Sequence, residues 1–272
     1  MKIAIMTDME GVAGVMDFEN WAMSHGRYYD KAKELLTMEI NAAVDGFCAA
    51  GATEITVIDG HGAGGIDPWL LNERAMFSRG WGRPQSFGFG DDFDAISWVG
   101  QHAKSGSLHA HLAHTGSHHV LEQKINGVSV GEYGRNAMIA GFYGTPAIFG
   151  SGDTAFAKEA LELTPWVHTV AVKSGVTLTK GDECTAEEYL RHNLGATHMH
   201  PKRARALIRE GAEYALKDFT GNREKYLPLK AEPPFVMEIW IRASANEKAH
   251  KRTYRHDSDI VGMCEAEAEV SY

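Results

Sequence analysis

Basic residues are in the minority here: 27 Lys and Arg stand against 36 Asp and Glu in 272 residues, a formal net charge of −9. A surface of that sign lacks the positive field that nucleic acid or an anionic membrane needs, so neither is expected as a partner. Long apolar runs are missing too. No window approaches the ~18 apolar residues of a membrane span. The N-terminal run Ile3 to Met6 falls short of the roughly 7–15 residues of a secretory signal core, and Asp8 and Glu10 come at once after it. Cysteine is scarce. Cys48, Cys184 and Cys264 are odd in number and far apart, which excludes a disulfide framework and a Cys-x-x-Cys metal pair. Cytoplasmic residence is the expectation. There is no Gly-x-Ser-x-Gly elbow. The run Gly60 to Gly65 lacks the spacing and the Lys-Ser/Thr of a phosphate loop; its glycines are read as letting backbone pass close to a site.

What is present is length, apolar content and histidine. A chain of 272 residues, 44% hydrophobic, can bury a sizeable core in one large α/β domain or two smaller ones. Residues 2–7 read as a short buried strand and residues 54–58 (EITVI) as a β-branched second one. Between them, residues 31–50 carry Leu36, Ile40, Val44 and Phe47 at helical spacing, with Gly51 as a stop. Strand, helix, strand in that order predicts a crossover and a parallel pair. Further strands are expected at 95–99, 146–149, 167–172 and 235–241. Residues 263–270 are expected to pair with the last of these. A helix N-capped near Gly152 or Asp153 should cover 153–163. A second should begin at Pro201, with a stripe of Ala204, Leu207, Ile208, Ala212, Ala215, Leu216 and Phe219. The fold class expected is α/β: a mostly parallel sheet flanked by helices, with a smaller α+β C-terminal part. A division into 1–160 and 161–272 is expected, with a single domain as the alternative, and no clear helix or strand pattern is read over residues 185–200.

Catalytic groups in open α/β sheets lie beyond the carboxyl ends of strands. Three polar clusters stand there: Asp8-Met9-Glu10, Asp59-Gly60-His61 and Gly100-Gln101-His102. Taken singly, an Asp-x-Glu is often a capping turn and a loop histidine is often merely hydrogen-bonded. Their shared placement puts a zinc or manganese site on an equal footing with those readings, since imidazole and carboxylate suit both ions. Asp59 is a candidate to orient a ligand from behind. The chain has 14 histidines, and six of them lie between His102 and His119, more than one site can use. His109, His111, His118 and His119 are assigned to a solvated loop. His198 and His200 look like a ligand pair but come after no expected strand end.

The string Thr-Asp-Met-Glu-Gly-Val-Ala-Gly (Thr7 to Gly14) resembles the opening of the zinc-dependent D-aminopeptidases, peptidase family M55. The likeness continues in order through Ile-Asp-Gly-His (His61), Val-Gly-Gln-His-Ala-Lys (His102), Leu-Ala-His-Thr (His114), Val-Gly-Glu-Tyr-Gly-Arg-Asn-Ala (Glu132, Asn136) and Ser-Gly-Asp (Asp153). It spans residues 1–175 and, more loosely, the rest. The resemblance implies an aspartate, Asp8, bridging two zinc ions; manganese or cobalt is an alternative metal. It implies Glu10 and His61 on one ion, His102 and Glu132 on the other, and His114 beside them as a chemical residue: base, electrostatic stabiliser or nucleophile. It further implies hydrolysis of short peptides from a free N-terminus, a preference for D-residues, and a large homo-oligomeric ring such as a decamer. Gln101 departs from the family's usual tyrosine. Two other readings stay open at this stage. One is a phosphoesterase-like dinuclear hydrolase, with Lys104 and Arg135 facing the phosphate. The other is a non-catalytic ring-forming peptide-binding protein.

Overall fold

The structure is a computed structural model and describes residues 1–80, 88–90 and 92–272. Strand β1 (Lys2–Thr7), helix α1 (Tyr29–Ala49) and strand β2 (Glu54–Asp59) form the expected unit. β1 and β2 run parallel, with Lys2 opposite Glu54 and Thr7 opposite Asp59. The short β3 (Met76–Ser78) continues the sheet beyond β2. The chain then returns to the other side of β1 with β4 (Ala95–Gln101), again parallel. Outside β4 lie β7 (Ala147–Asp153), β8 (His168–Gly175) and the antiparallel edge β9 (Ala196–His198), giving the order β3-β2-β1-β4-β7-β8-β9. Every residue of β4 and β7 is buried, as expected of central parallel strands covered on both faces.

Helices cover both faces. α1 packs with the long α5 (Pro201–Gly221) on one side. There Leu36, Ile40, Val44 and Phe47 meet Ala204, Ile208, Ala212 and Phe219. The predicted stripe of α5 is thus its buried face, apart from the half-buried Leu207. On the other side, α2 (Glu132–Phe142) and α3 (Thr154–Leu163) supply Tyr133, Ile139, Phe156 and Ala160 to a second core with Trp98. That core also takes Phe235 and Met237 from an antiparallel sheet ordered β12-β11-β10-β5-β6. Its strands are β5 (Val120–Ile125), β6 (Val128–Ser129), β10 (Phe235–Ile241), β11 (His250–His256) and β12 (Glu269–Ser271). The α/β class with a mostly parallel, helix-flanked sheet is therefore what the chain adopts. No described helix is long and apolar enough to cross a membrane.

The structure departs from the sequence expectations in three places. Residues 263–270 do not pair with β10. Ile260–Glu265 is helix α6, capped by Asp259, and β12 pairs with β11 instead. β10 takes β11 and β5 as neighbours. Helix α2 was not expected, because Gly134 and Gly141 interrupt its apolar spacing. Residues 185–200 hold a capped turn of helix, α4 (Ala186–Tyr189), and then β9. The sheets also interleave along the chain. The first takes β8 and β9 from beyond residue 160, and the second takes β5 and β6 from before it.

Candidate metal centre

Sheet order reverses at β1 and β4: the chain builds outward through β2 and β3 on one side and through β7 and β8 on the other. That reversal opens a crevice at the carboxyl ends of β1 and β4, the usual ligand position in such sheets. Asp8 and Glu10 occupy the turn after β1, His61 comes just after β2, and His102 just after β4. Glu132 is the first residue of α2, where the helix dipole favours a carboxylate. The two central turns are clamped together by backbone bonds from Asp8 N to Val99 O (3.0 Å) and from Gly11 N to Gly100 O (2.7 Å). Glycine is required at this crossing. Gly100 has φ +77, and a Cβ on it would lie 2.0 Å from the Asp8 carbonyl; one on Gly11 would lie 2.1 Å from the Gln101 carbonyl.

The six predicted site residues converge. Asp8, Glu10 and His61 bring one donor atom each within 4.8 Å of one another, and so do His102, His114 and Glu132. His61 Nε2 is 3.4 Å from Glu10 Oε1. His102 Nε2 is 3.2 Å from Asp8 Oδ2 and 3.6 Å from Glu132 Oε1, linking the two groups. His114 Nε2 is 3.8 Å from the same Glu132 oxygen.

The partners set the tautomers. His102 Nδ1 lies 2.9 Å from the Ala103 carbonyl and His114 Nδ1 lies 3.0 Å from the Leu112 carbonyl. A carbonyl only accepts, so both Nδ1 atoms donate. In the neutral rings each Nε2 then presents a lone pair toward carboxylate oxygens. Though close, His102 Nε2 makes no well-directed hydrogen bond, and neither does Glu10 Oε2, among the described residues. Buried acceptors pointed at acceptors need positive charge between them, from a proton or a metal ion, and nitrogen–carboxylate sets of this kind fit zinc.

The charges respond accordingly. Burial, then the Glu10 carboxylate, pushes Asp8 up to about 7. Burial also opposes ionisation of Glu10 and Glu132, but the histidines outweigh it. His61 leads for Glu10 and His102 for Glu132, and both carboxyls are held well below their ordinary range. Burial works against protonated His61 and is overcome by Glu10 and Asp8, which raise it to about 9. Against the same penalty, Glu132 and Asp8 hold His102 well above the usual imidazole value. The carboxylates thus call for positive charge at these nitrogens. His114 moves the other way: burial and the neighbouring His102 lower it, so its ring stays neutral.

A cavity of about 470 Å³ opens over these groups, and its wall includes Met23, His25, Gln101, Arg135 and Asn136. Gln101, the departure from the family pattern, donates from Nε2 to Asp8 Oδ2 at 3.1 Å and so fixes that carboxylate. Asp59 does not hold His61. It accepts from Gly65 N at 2.9 Å and pairs with Arg79 at 3.3 Å, bracing the loop. The group facing His61 Nδ1 is the Tyr29 hydroxyl, at 3.5 Å. Tyr29 commits its proton to the Gly64 carbonyl at 2.7 Å, so it cannot also donate to His61. Asp153 is structural, capping α3 through Phe156 N at 2.7 Å and accepting from His111 N at 2.9 Å. Lys104 is engaged elsewhere, its Nζ donating to Ser129 O at 3.2 Å and Ser129 Oγ at 3.0 Å.

Sequence reasoning missed other contributors. His118, assigned to a solvated loop, stacks on His114 with centroids 5.0 Å apart, and His114 stacks on His102 at 4.1 Å. Phe18 sets its edge or face against both His114 and His118. Buried Lys173 donates to the Glu10 and Val15 carbonyls and ties down the turn after β1. No motif marked it. His198 and His200 serve locally: the first accepts from Gly14 N and the second caps α5 through Lys202 N, each at 3.1 Å.

With the geometry in place, comparison with known proteins adds an independent line. A family model described as D-aminopeptidase, Peptidase_M55, matches residues 1–255. A D-aminopeptidase of Bacillus subtilis (strain 168) is 31% identical over 242 residues, covering 88% of this chain and 81% of that protein. The solved structure of a Zn-dependent D-aminopeptidase from Bacillus subtilis, described as a self-compartmentalizing protease, superposes with a TM-score of 0.81. That match is 25% identical and covers 97% of this chain and 94% of the other.

Proposed function

The chain belongs to the D-aminopeptidase family M55, and on that premise we propose that it removes the N-terminal residue of short peptides, preferring D-residues, with two zinc ions. The observation that carries this reading is the pair of buried donor groups at the sheet reversal, whose lone pairs face one another. Asp8, Glu10 and His61 would hold one ion, and His102 and Glu132, with Asp8 shared between the groups, would hold the other. Three carboxylates bring three negative charges. Two divalent ions with one hydroxide balance them, whereas a single ion would leave a net negative charge in a buried place. Manganese or cobalt suits the same donors. Bound metal supplies an acidified water and an electrophile for the scissile carbonyl. His114, neutral and with Nδ1 held by Leu112, offers Nε2 to take a proton and return it to the leaving amine. A phosphoesterase reading gains nothing from Lys104, which is engaged at Ser129.

Paired kinetics on D-alanyl and L-alanyl amides test the proposal. The expected result is a higher kcat/KM for the D-substrate. Equal values, or an L preference, would leave the metal chemistry without the selectivity; hydrolysis of neither would refute an aminopeptidase.

The solved relative is described as self-compartmentalizing. We extend that to this chain as a homo-oligomer well above a dimer, a decamer on the family pattern, working in the cytoplasm on small peptides. Support comes from the exposed Trp69, Met76 and Phe77 at and near the β3 edge, apolar surface of the kind that subunit contacts cover. Light scattering at micromolar concentration should give many times the 29.8 kDa of one chain. A mass near that value would refute assembly.

A further inference from the structure

Glu10 and Asn136 both line the cavity, and each has a buried side-chain oxygen, Glu10 Oε2 and Asn136 Oδ1, with no hydrogen-bond partner among the described residues. The first belongs to a metal-donor group. The second belongs to neither group. Asn136 is 4% exposed and lies one turn along α2 from Glu132, so the i, i+4 spacing sets both side chains on one face of the helix. An acceptor buried without a donor is costly and uncommon in native proteins, so Asn136 Oδ1 calls for a donor, and on a residue that lines a binding cavity a ligand can supply it.

We propose that this ligand group is the substrate's free α-amino group, and that Asn136 is the residue that both requires a free N-terminus and orients the carbon next to it. The inference rests on the aminopeptidase reading and gives it a substrate anchor. An amide oxygen suits the task better than a carboxylate. It accepts N–H from amine or ammonium, yet carries no charge that would draw it into a metal shell a short distance away. The anchor also bears on handedness. With the amine at Asn136 and the carbonyl at the metal centre, two of the four substituents of that carbon are fixed. Exchanging D for L then exchanges hydrogen and side chain against the same wall, which is what lets the wall discriminate.

The test uses the metal-loaded protein, with D-alanine, L-alanine and propionic acid p-nitroanilides as substrates; the last lacks only the amine. Wild type should strongly favour the D-alanine anilide. In Asn136→Leu, kcat/KM for that substrate should fall about 10- to 100-fold, the loss expected for one hydrogen bond to a charged group. The fall should lie mainly in KM. The rate for the propionyl anilide should not change, and the ratio of D to L should shrink. Asn136→Gln keeps a neutral amide acceptor and should keep the demand for an amine. Calorimetry with D-alanine against propionate reads the same contact without turnover: wild type should favour D-alanine, and Asn136→Leu should not. An Asn136→Leu protein with full metal content and an undiminished preference for the free amine, in turnover and in titration, would overturn the proposal. If wild type cleaves none of the three anilides, the aminopeptidase reading falls, while the D-alanine titration still decides the role of Asn136.

Discussion

Asp8→Ala should purify folded but nearly free of metal, and should hydrolyse D-alanyl substrates at least ~1000-fold more slowly than wild type, the scale on which a lost metal-activated water is felt. Asp8 shares a donor group with Glu10 and His61, and its Oδ2 is also 3.2 Å from His102 Nε2 in the other group. One truncation would therefore weaken both of the proposed shells. The fold should survive. Asp8 is buried, and burial raises its carboxyl to about 7, above its ordinary unfolded value near 3.9. That order sets the sign. A raised carboxyl is ionised less readily in the folded chain, so Asp8's own contribution to the stability of the metal-free fold is lost as pH rises from about 4 through about 7. At pH 8 the metal-free wild type carries the full penalty of an ionised buried carboxylate, and the alanine variant carries none of it. Chelator should thus lower the Tm of the metal-loaded wild type and leave Asp8→Ala unmoved. Elemental analysis showing full metal in the variant would refute the bridging assignment.

The parts of this site that were legible in the sequence share one physical origin. β1, β2 and β4 are short apolar runs, each with polar residues directly after it. A parallel sheet buries the run and delivers those polar residues to one edge, so Asp8, Glu10, His61 and His102 could be placed together without knowing any contact. Glu132 and His114 stand after no such strand and came only from resemblance to a family. Helix α2 explains part of the difficulty. Gly134 and Gly141 break its periodicity, so nothing local showed that Asn136 shares a face with Glu132. His118 was hidden for another reason. Its stacking on His114 depends on the path of a loop that passes through left-handed backbone at His109 (φ 54) and Leu112 (φ 55), conformations that non-glycine residues seldom adopt and composition does not announce. The second sheet was obscured by distance along the chain: β10 pairs with β5 more than a hundred residues earlier. Its other neighbour, His250–His256, has no alternation of apolar and polar residues to betray a strand.

His114→Ala should keep its metal and fold yet lose turnover by ~100-fold or more, the usual scale of general acid–base help. The geometry makes this a sharp test, because His114 Nε2 lies close enough to Glu132 and His102 to be counted as a donor with them. Two roles are therefore in competition. As a ligand, His114 would take metal with it when removed. As a base, it would leave the five remaining ligands in place. The neutral ring favours the second role: burial and His102 lower its affinity for protons, and Leu112 fixes the tautomer, so the lone pair at Nε2 is ready near neutral pH. Protonation of that lone pair should produce an acid limb in the pH profile of kcat/KM, lying below the ordinary imidazole value of about 6.5. The limb should disappear in the alanine variant. Truncation also opens a slot between two stacked partners, His102 at 4.1 Å and His118 at 5.0 Å between ring centroids, so added imidazole should restore part of the rate. Rescue with unchanged metal content would establish a chemical role. Metal loss on mutation would make His114 a ligand, and near-normal turnover would remove it from the reaction.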